Sequence, residues 1–282
     1  MKNSAAIRRL LLPGISLYTI FFVIPLSILA VYSFWTQIDF KMHPGFTLEH
    51  YQAVFTTSLY RDVFIRTIIV AILTAIIVVP IAYILSYIMQ FVFPHKATLL
   101  LNIILVSMFS GYLVRIYAWR TILGKEGLLN TALIHFRIIT KPITFLIFSN
   151  WSIAITLVGL LIPLALLPIW SSMSNVSKDH LEVAGDLGSR GFQMHRTILI
   201  PMVLPGIATA FAISFILAAG DFVVPTMLGG TNGVMAGNLI ADQFKGLAPN
   251  WPLGASLAIC VLAVLIAIQM GFMRLVREVT RL

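Results

Sequence analysis

An all-α integral membrane protein with six transmembrane helices is the fold class that the sequence predicts, and three observations predict it. Apolar residues make up 59% of the 282 residues and charged residues only 10%, where soluble domains carry roughly 25% charged residues. The mean hydropathy is +0.97, and a soluble chain this apolar has too little polar surface to cover itself. Six stretches almost free of charge meet or approach the ~20 residues that a helix needs to cross a bilayer core of about 30 Å. They are expected to span at about 11–34, 67–89, 97–119, 150–170, 202–220 and 253–273. No short repeat, low-complexity tract or soluble domain interrupts them, so 1–282 reads as a single transmembrane domain.

The first stretch follows Lys2, Arg8 and Arg9. It is too long for a secretion signal and lacks a clean small-x-small cleavage site, so it is expected to stay as the first span. Pro80 lies in the second stretch, and Pro163 and Pro168 in the fourth; bundles tolerate these because neighbouring helices re-satisfy the freed carbonyls. The third is the shortest, charge-free only over 97–114 and reaching Trp119 by taking in Arg115. The fifth emerges from a polar segment, and the sixth carries the single cysteine, Cys260, which excludes an intrachain disulfide.

The formal net charge is +9. The basic residues flank apolar runs instead of clustering among aromatics, which points to a membrane surface and away from nucleic acid. The Lys/Arg balance over the loops is nearly even and decides little. Basic residues at both ends, with an even number of spans, place both termini in the cytoplasm.

Between the fourth and fifth spans, 171–200 is the one long polar interruption with marks of ordered structure. Asp179 and Glu182 have the spacing of a capping box. Leu181, Ala184 and Leu187 then fall near one helix face, and Gly188 supplies a stop where a left-handed residue costs little. A second helical run is expected from about Phe192, carrying His195 and Arg196, until Pro201 and Pro205 lead into the membrane.

The register of that segment resembles the signature of the membrane permeases of ATP-binding-cassette importers: E-A-A, three residues, G, nine residues, I-x-L-P. The matching residues are Glu182, Val183, Ala184, Gly188, Ile198, Ile200 and Pro201, with Val183 and Ile200 as mild departures. Three outer stretches are similar to the spermidine/putrescine branch. They hold Arg115, Tyr117 and Trp119, then Gly127 with Asn130, then DFVVPTMLGG from Asp221 to Gly230 and Gly237 with Asn238. The resemblance implies the type I importer (MetI-like) permease fold, in a bacterial plasma (inner) membrane. It implies a cytoplasmic coupling helix, Leu181, Glu182, Val183, Ala184, Asp186, Leu187 and Gly188, docking on an ATPase. The implied partners are two ATPase subunits, a sister permease and an extracytoplasmic binding protein.

Chemistry of its own is hard to find in this chain. No G-x-x-x-x-G-K-[ST] occurs, so nucleotide phosphates are not cradled here. ATP and Mg would sit on the partner, with no cofactor on this chain. None of the six histidines pairs at metal-ligand spacing, and none falls in an expected span. Gly254-Ala255-Ser256-Leu257-Ala258 mimics a nucleophile elbow, but its place in a membrane helix makes it a run of small packing residues. No catalytic or metal-binding residue is expected.

Asp221, at the outer end of the fifth span, is the carboxylate to single out, since a charge there is costly unless it faces a cavity or a partner. With Tyr117, Trp119, Phe222 and Trp251 it forms a candidate path or gate for a cationic cargo, which both carboxylates and aromatic faces attract. An interfacial aromatic belt is the simpler account of the rings. Arg115 and Arg120 suit contact with a binding protein or structural pairing, and less readily an anionic cargo. Putrescine or spermidine leads among cargoes; opine-like amines, sulfate, phosphonate and ferric ion are the alternatives. An ion-coupled secondary carrier is the competing class, and it needs mid-membrane ionisable groups that the expected spans lack.

Overall fold

The computed structural model describes residues 3–186 and 188–281, and it is built almost wholly of helices. In chain order these are α1 (Asn3–Tyr18), α2 (Ile24–Tyr32), α3 (Glu49–Thr56), α4 (Ser58–Tyr87), α5 (Ala97–Met108), α6 (Tyr112–Leu123), α7 (Leu128–His135), α8 (Asn150–Met173), α9 (Lys178–Asp186), α10 (Phe192–Met194), α11 (Ile200–Gly220), α12 (Ala236–Lys245) and α13 (Trp251–Arg281). Short π turns join α1 to α2 and α10 to α11, so Leu11–Tyr32 and Phe192–Gly220 are continuous helical runs. Among the described residues five runs are long and apolar enough to cross a membrane: Leu11–Tyr32, Ser58–Val92, Asn150–Met173, Phe192–Gly220 and Trp251–Val276.

The third expected span departs from 97–119. Pro94–Met108 and Tyr112–His135 meet at 95°, and counting that bent pair as one brings the total to six. The break has a local cause. The hydroxyls of Ser107 and Ser110 turn back to the carbonyls of Ile104 (2.5 Å) and Ser107 (2.8 Å). Gly111 is then extended at φ −54° and ψ 142° before α6 begins. The second span is longer than expected because a helix tolerates Arg61, Asp62 and Arg66 in its first turns, which a search for charge-free stretches leaves out.

The structure divides into two compact units, with α13 contributing to both. One comprises Met1–Asp62 and Leu239–Val264. In it the strands β1 (Thr36–Ile38) and β2 (Lys41–His43) form a hairpin in register Gln37↔Met42. Its two-residue turn puts Asp39 and Phe40 at positive φ, as tight hairpins of this twist require. The Gln37 amide ties that hairpin to the start of α13, donating to Pro249 O (2.6 Å) and accepting from the Trp251 N–H (3.1 Å). No residue of Leu11–Tyr32 is buried.

The other unit comprises Val63–Asn238 and Leu265–Leu282, and its core is the α8–α11 pair. Leu157, Leu166 and Ile169 of α8 and Val203, Ala210 and Phe215 of α11 are buried. The two helices approach closely at Gly206, where a Cβ would collide with the Ser172 side chain and the Pro168 carbonyl. A backbone carbonyl cannot swing aside, so Gly206→Ala forces the helices apart. We expect the melting temperature of the detergent-solubilised protein to fall, by about 1–3 kcal/mol in stability. An unchanged melting temperature would show that the pair has room to spare.

Candidate functional site

Two sites lie in the Val63–Asn238 unit. The first is the knob formed by α9 and the chain that follows. α9 starts at Lys178, so Asp179 lies in its first turn and is not the cap that the capping-box spacing suggests. The preceding Ser177 hydroxyl instead meets His180 Nδ1 at 2.6 Å. At the other end the closure is the one a glycine allows. Gly188 has φ +87°, its N–H donates to Gly185 O (2.9 Å), and the Ser189 N–H donates to Ala184 O (2.9 Å). These are the paired bonds of a Schellman motif, which satisfies carbonyls that the helix end would orphan.

That closure decides which side chains face out. Ala184 is buried and Leu181 half-buried, whereas Glu182, Val183, Asp186 and Gly188 are exposed. Leu187, expected on the same helix, lies outside the described residues. Among the described residues neither Glu182 nor Asp186 has an ion-pair partner, so both carboxylates are presented outward. Beside them Phe192 is 78% exposed, an apolar contact for a complementary surface.

The second site is a pocket of about 530 Å³ where α6, α8 and the end of α11 meet, lined by Tyr112, Arg115, Leu160, Leu217, Asp221 and Phe222 among others. Its volume lies within the roughly 300–1,000 Å³ of small-molecule sites. Asp221 ends α11 and begins the next short helix at once. Its Oδ1 accepts the N–H groups of Val223 (2.7 Å) and Val224 (3.0 Å), while the Tyr112 hydroxyl donates to Oδ2. Burial pushes the Asp221 carboxyl above its ordinary pKa, and the two backbone N–H groups pull it back down. Arg115 stands over the Tyr112 ring, 5.9 Å from its centroid, and its buried Nε has no acceptor among the described residues.

The pocket thus gathers Arg115, Asp221 and Phe222 and leaves the other candidates elsewhere. Tyr117 is exposed, and Arg120 is exposed in the last turn of α6, where a cation favours the helix dipole. The Trp119 ring lies against Gly159 of α8, so it packs helix on helix. Trp251 belongs to the other unit, where its ring meets Phe244 at 5.9 Å.

Tyr112 was not among the sequence candidates, and one signal was available: it precedes Arg115 by one helical turn, directly after a glycine. The asparagines of the outer loops prove to be clamps. Asn130 is buried and bonds Gly124 O (3.1 Å) and both backbone groups of Ile143. Asn238 donates to Phe222 O (2.9 Å) and Thr226 Oγ1 (2.6 Å), holding the segment after Asp221.

Residues 52–280 match the family described as the binding-protein-dependent transport system inner membrane component. The chain belongs to that family. It is a multi-pass inner-membrane permease component of an importer, and not an enzyme. The permease is 33% identical to the spermidine/putrescine transport system permease protein PotB of Haemophilus influenzae, over 86% of this chain and 84% of that one. It is 29% identical to the inner membrane ABC transporter permease protein YdcU of Escherichia coli K12, over 86% and 80% of the two chains. Among solved structures, a bacterial ABC transporter involved in the import of the acidic polysaccharide alginate superposes with TM-score 0.77 and 18% identity. That match covers 99% of the permease and 97% of the other chain, and it bears on the fold alone.

Proposed function

We propose that this permease carries a small cationic solute, putrescine or spermidine foremost, through an ATP-driven importer. In this reading two ATPase subunits dock on the knob in the cytoplasm, where both termini also lie. A sister permease completes the path, and an extracytoplasmic binding protein delivers the cargo. ATP and Mg belong to the ATPase, and this chain carries no cofactor. The observation that carries the reading is the continuity of the helical run Phe192–Gly220, which begins at the knob and ends at Asp221. A push on the exposed Glu182 face, passed through the Gly188–Gly191 turn to Phe192, would reach the pocket carboxylate along that helical run. The Asp221 carboxylate beside the Tyr112 and Phe222 rings suits an ammonium group.

Arg115 favours a second reading at the level of cargo. A buried guanidinium nitrogen without an acceptor suits a cargo that also carries a carboxylate, such as an amino-acid-derived amine. The test is to purify the tagged permease from membranes, identify the ATPase that accompanies it, and assay uptake in vesicles. ATP depletion with ion gradients held is expected to stop putrescine uptake, and collapse of the gradients with ATP present is expected to spare it. The opposite pattern would make the chain a secondary carrier. Ornithine taken up in preference to putrescine would favour the amino-acid-like cargo.

A further inference from the structure

We infer that α4 is a second load-bearing rod between knob and pocket, tied at its two ends by Tyr83 and Thr67, which act as positioning residues for coupling. The inference rests on the ATP-driven reading above and adds to it how the motion reaches the pocket.

At the knob end, the Tyr83 hydroxyl bonds His195 Nδ1 at 2.8 Å. The same imidazole lies 4.8 Å from the Tyr87 ring, one turn along α4, so it is held on two sides. His195 opens the π turn His195–Leu199, the point where the knob becomes the long helix. Such turns carry an extra residue per turn and recur at functional sites.

At the pocket end, the buried Thr67 hydroxyl accepts the N–H of Ala236 at 2.9 Å, and Arg66 Nη1 donates to Val234 O at 3.2 Å. The segment they hold grips the pocket in turn. Asn238 bonds Phe222 O, and Gly237 lies so close that a Cβ there would stand 3.0 Å from Asp221 O and 3.0 Å from Phe222 Cβ. From Thr67 to Tyr83 the helix measures on the order of 24 Å, and Val70, Ala71, Ala75, Val78 and Ala82 along it are buried. A helix packed in this way transmits displacement along its axis even though Pro80 removes one N–H from its ladder, and the Asp221–Asn238 segment is tied to its end by the bonds just described. α11 alone pushes one side of the pocket; with α4 tied at both ends, the segment beyond Asp221 moves with it.

The two ties act in series on one rod, and that fixes the test. The complete importer is reconstituted in proteoliposomes with wild-type permease, Tyr83→Phe, Thr67→Val, the double variant, and Thr67→Ser, which keeps the hydroxyl. The readout is putrescine taken up per ATP hydrolysed, which a merely structural role leaves unchanged in the folded, assembled fraction. Tyr83→Phe and Thr67→Val are each expected to lower the ratio about fivefold, the double variant no further, and Thr67→Ser to keep the wild-type ratio. Arg66→Met, which removes the weaker tie, serves in place of Thr67→Val if that chain does not assemble. Unchanged ratios in the single variants overturn the inference, and so do losses that multiply in the double, since they mark two independent defects. Wild-type uptake without ATP hydrolysis would instead overturn the reading beneath it.

Discussion

Replacing Gly188 with valine is expected to cut ATP-driven uptake about tenfold or more while leaving the permease in the membrane. The reason is backbone handedness, because open space surrounds the position. At φ +87° an L-residue carries a penalty of about 1–2 kcal/mol, and a β-branched one more. The closure at Gly188 and Ser189 would give way, and α9 would end at a different angle. The exposed face of Glu182, Val183 and Asp186 would then point away from its partner. At that cost the ratio of correctly closed to misclosed loop falls roughly tenfold or more, so uptake should drop about tenfold or more. Glu182→Lys probes the same contact without disturbing the backbone, and should let ATP hydrolysis proceed without uptake. Both are read by uptake and ATP hydrolysis in the reconstituted importer. Wild-type uptake by both variants would remove the knob from the mechanism.

The second large effect is expected at Asp221. Lysine there places a cation beside Arg115, and at about 5 Å and an effective dielectric of ~20 one opposing unit charge costs on the order of 3 kcal/mol. Uptake of putrescine should therefore fall on the order of 100-fold in Asp221→Lys. Lysine also cannot accept the N–H groups of Val223 and Val224, so the neutral isostere is the necessary companion. Asp221→Asn keeps an accepting oxygen and should fold normally, yet carry the cation poorly.

The pH dependence separates charge from shape. Burial raises the Asp221 carboxyl above its ordinary value, so the folded protein holds that proton more tightly than the unfolded chain does. The resulting stabilisation is complete below the ordinary carboxylate range and is lost as pH rises through the raised value. The melting temperature of wild type relative to Asp221→Asn should accordingly decline as pH climbs from about 4 toward neutrality. Wild-type uptake should approach that of the Asn variant at the acid end. A pH-independent difference between the two would assign Asp221 a packing role only.

The knob was legible in the sequence because its signals are local. A fixed register from Glu182 to Pro201 and a glycine at a helix end can be read without tertiary structure. Even there the start of α9 shifted, since Ser177 competes with Asp179 for the first turn and spacing alone does not choose between them. The helices were legible as apolar runs, but their ends were not. α4 begins at Ser58 despite Arg61, Asp62 and Arg66, and the third run breaks where serine hydroxyls turn back on the backbone. The pocket was half legible. A carboxylate at a helix end announces itself, whereas the donor that meets it, Tyr112, lies more than a hundred residues away in the chain. Trp119 carried a gate-like motif, yet the missing side chain of Gly159 made a packing slot for it.

The break ahead of Tyr112 has its own consequence. Phe109, Ser110 and Gly111 lie between α5 and α6, bonded to them through the Phe109 N–H to Val106 O and the Arg115 N–H to Gly111 O, so the tyrosine that holds Asp221 is mounted just past a short non-helical joint. Letting go of the carboxylate would then require a few torsions to turn in that tripeptide, with the interior backbone bonds of α5 and α6 left in place. In the proposed reading, an arriving ammonium group would compete with that one phenol for the carboxylate, and the entrance would open without unwinding a rod.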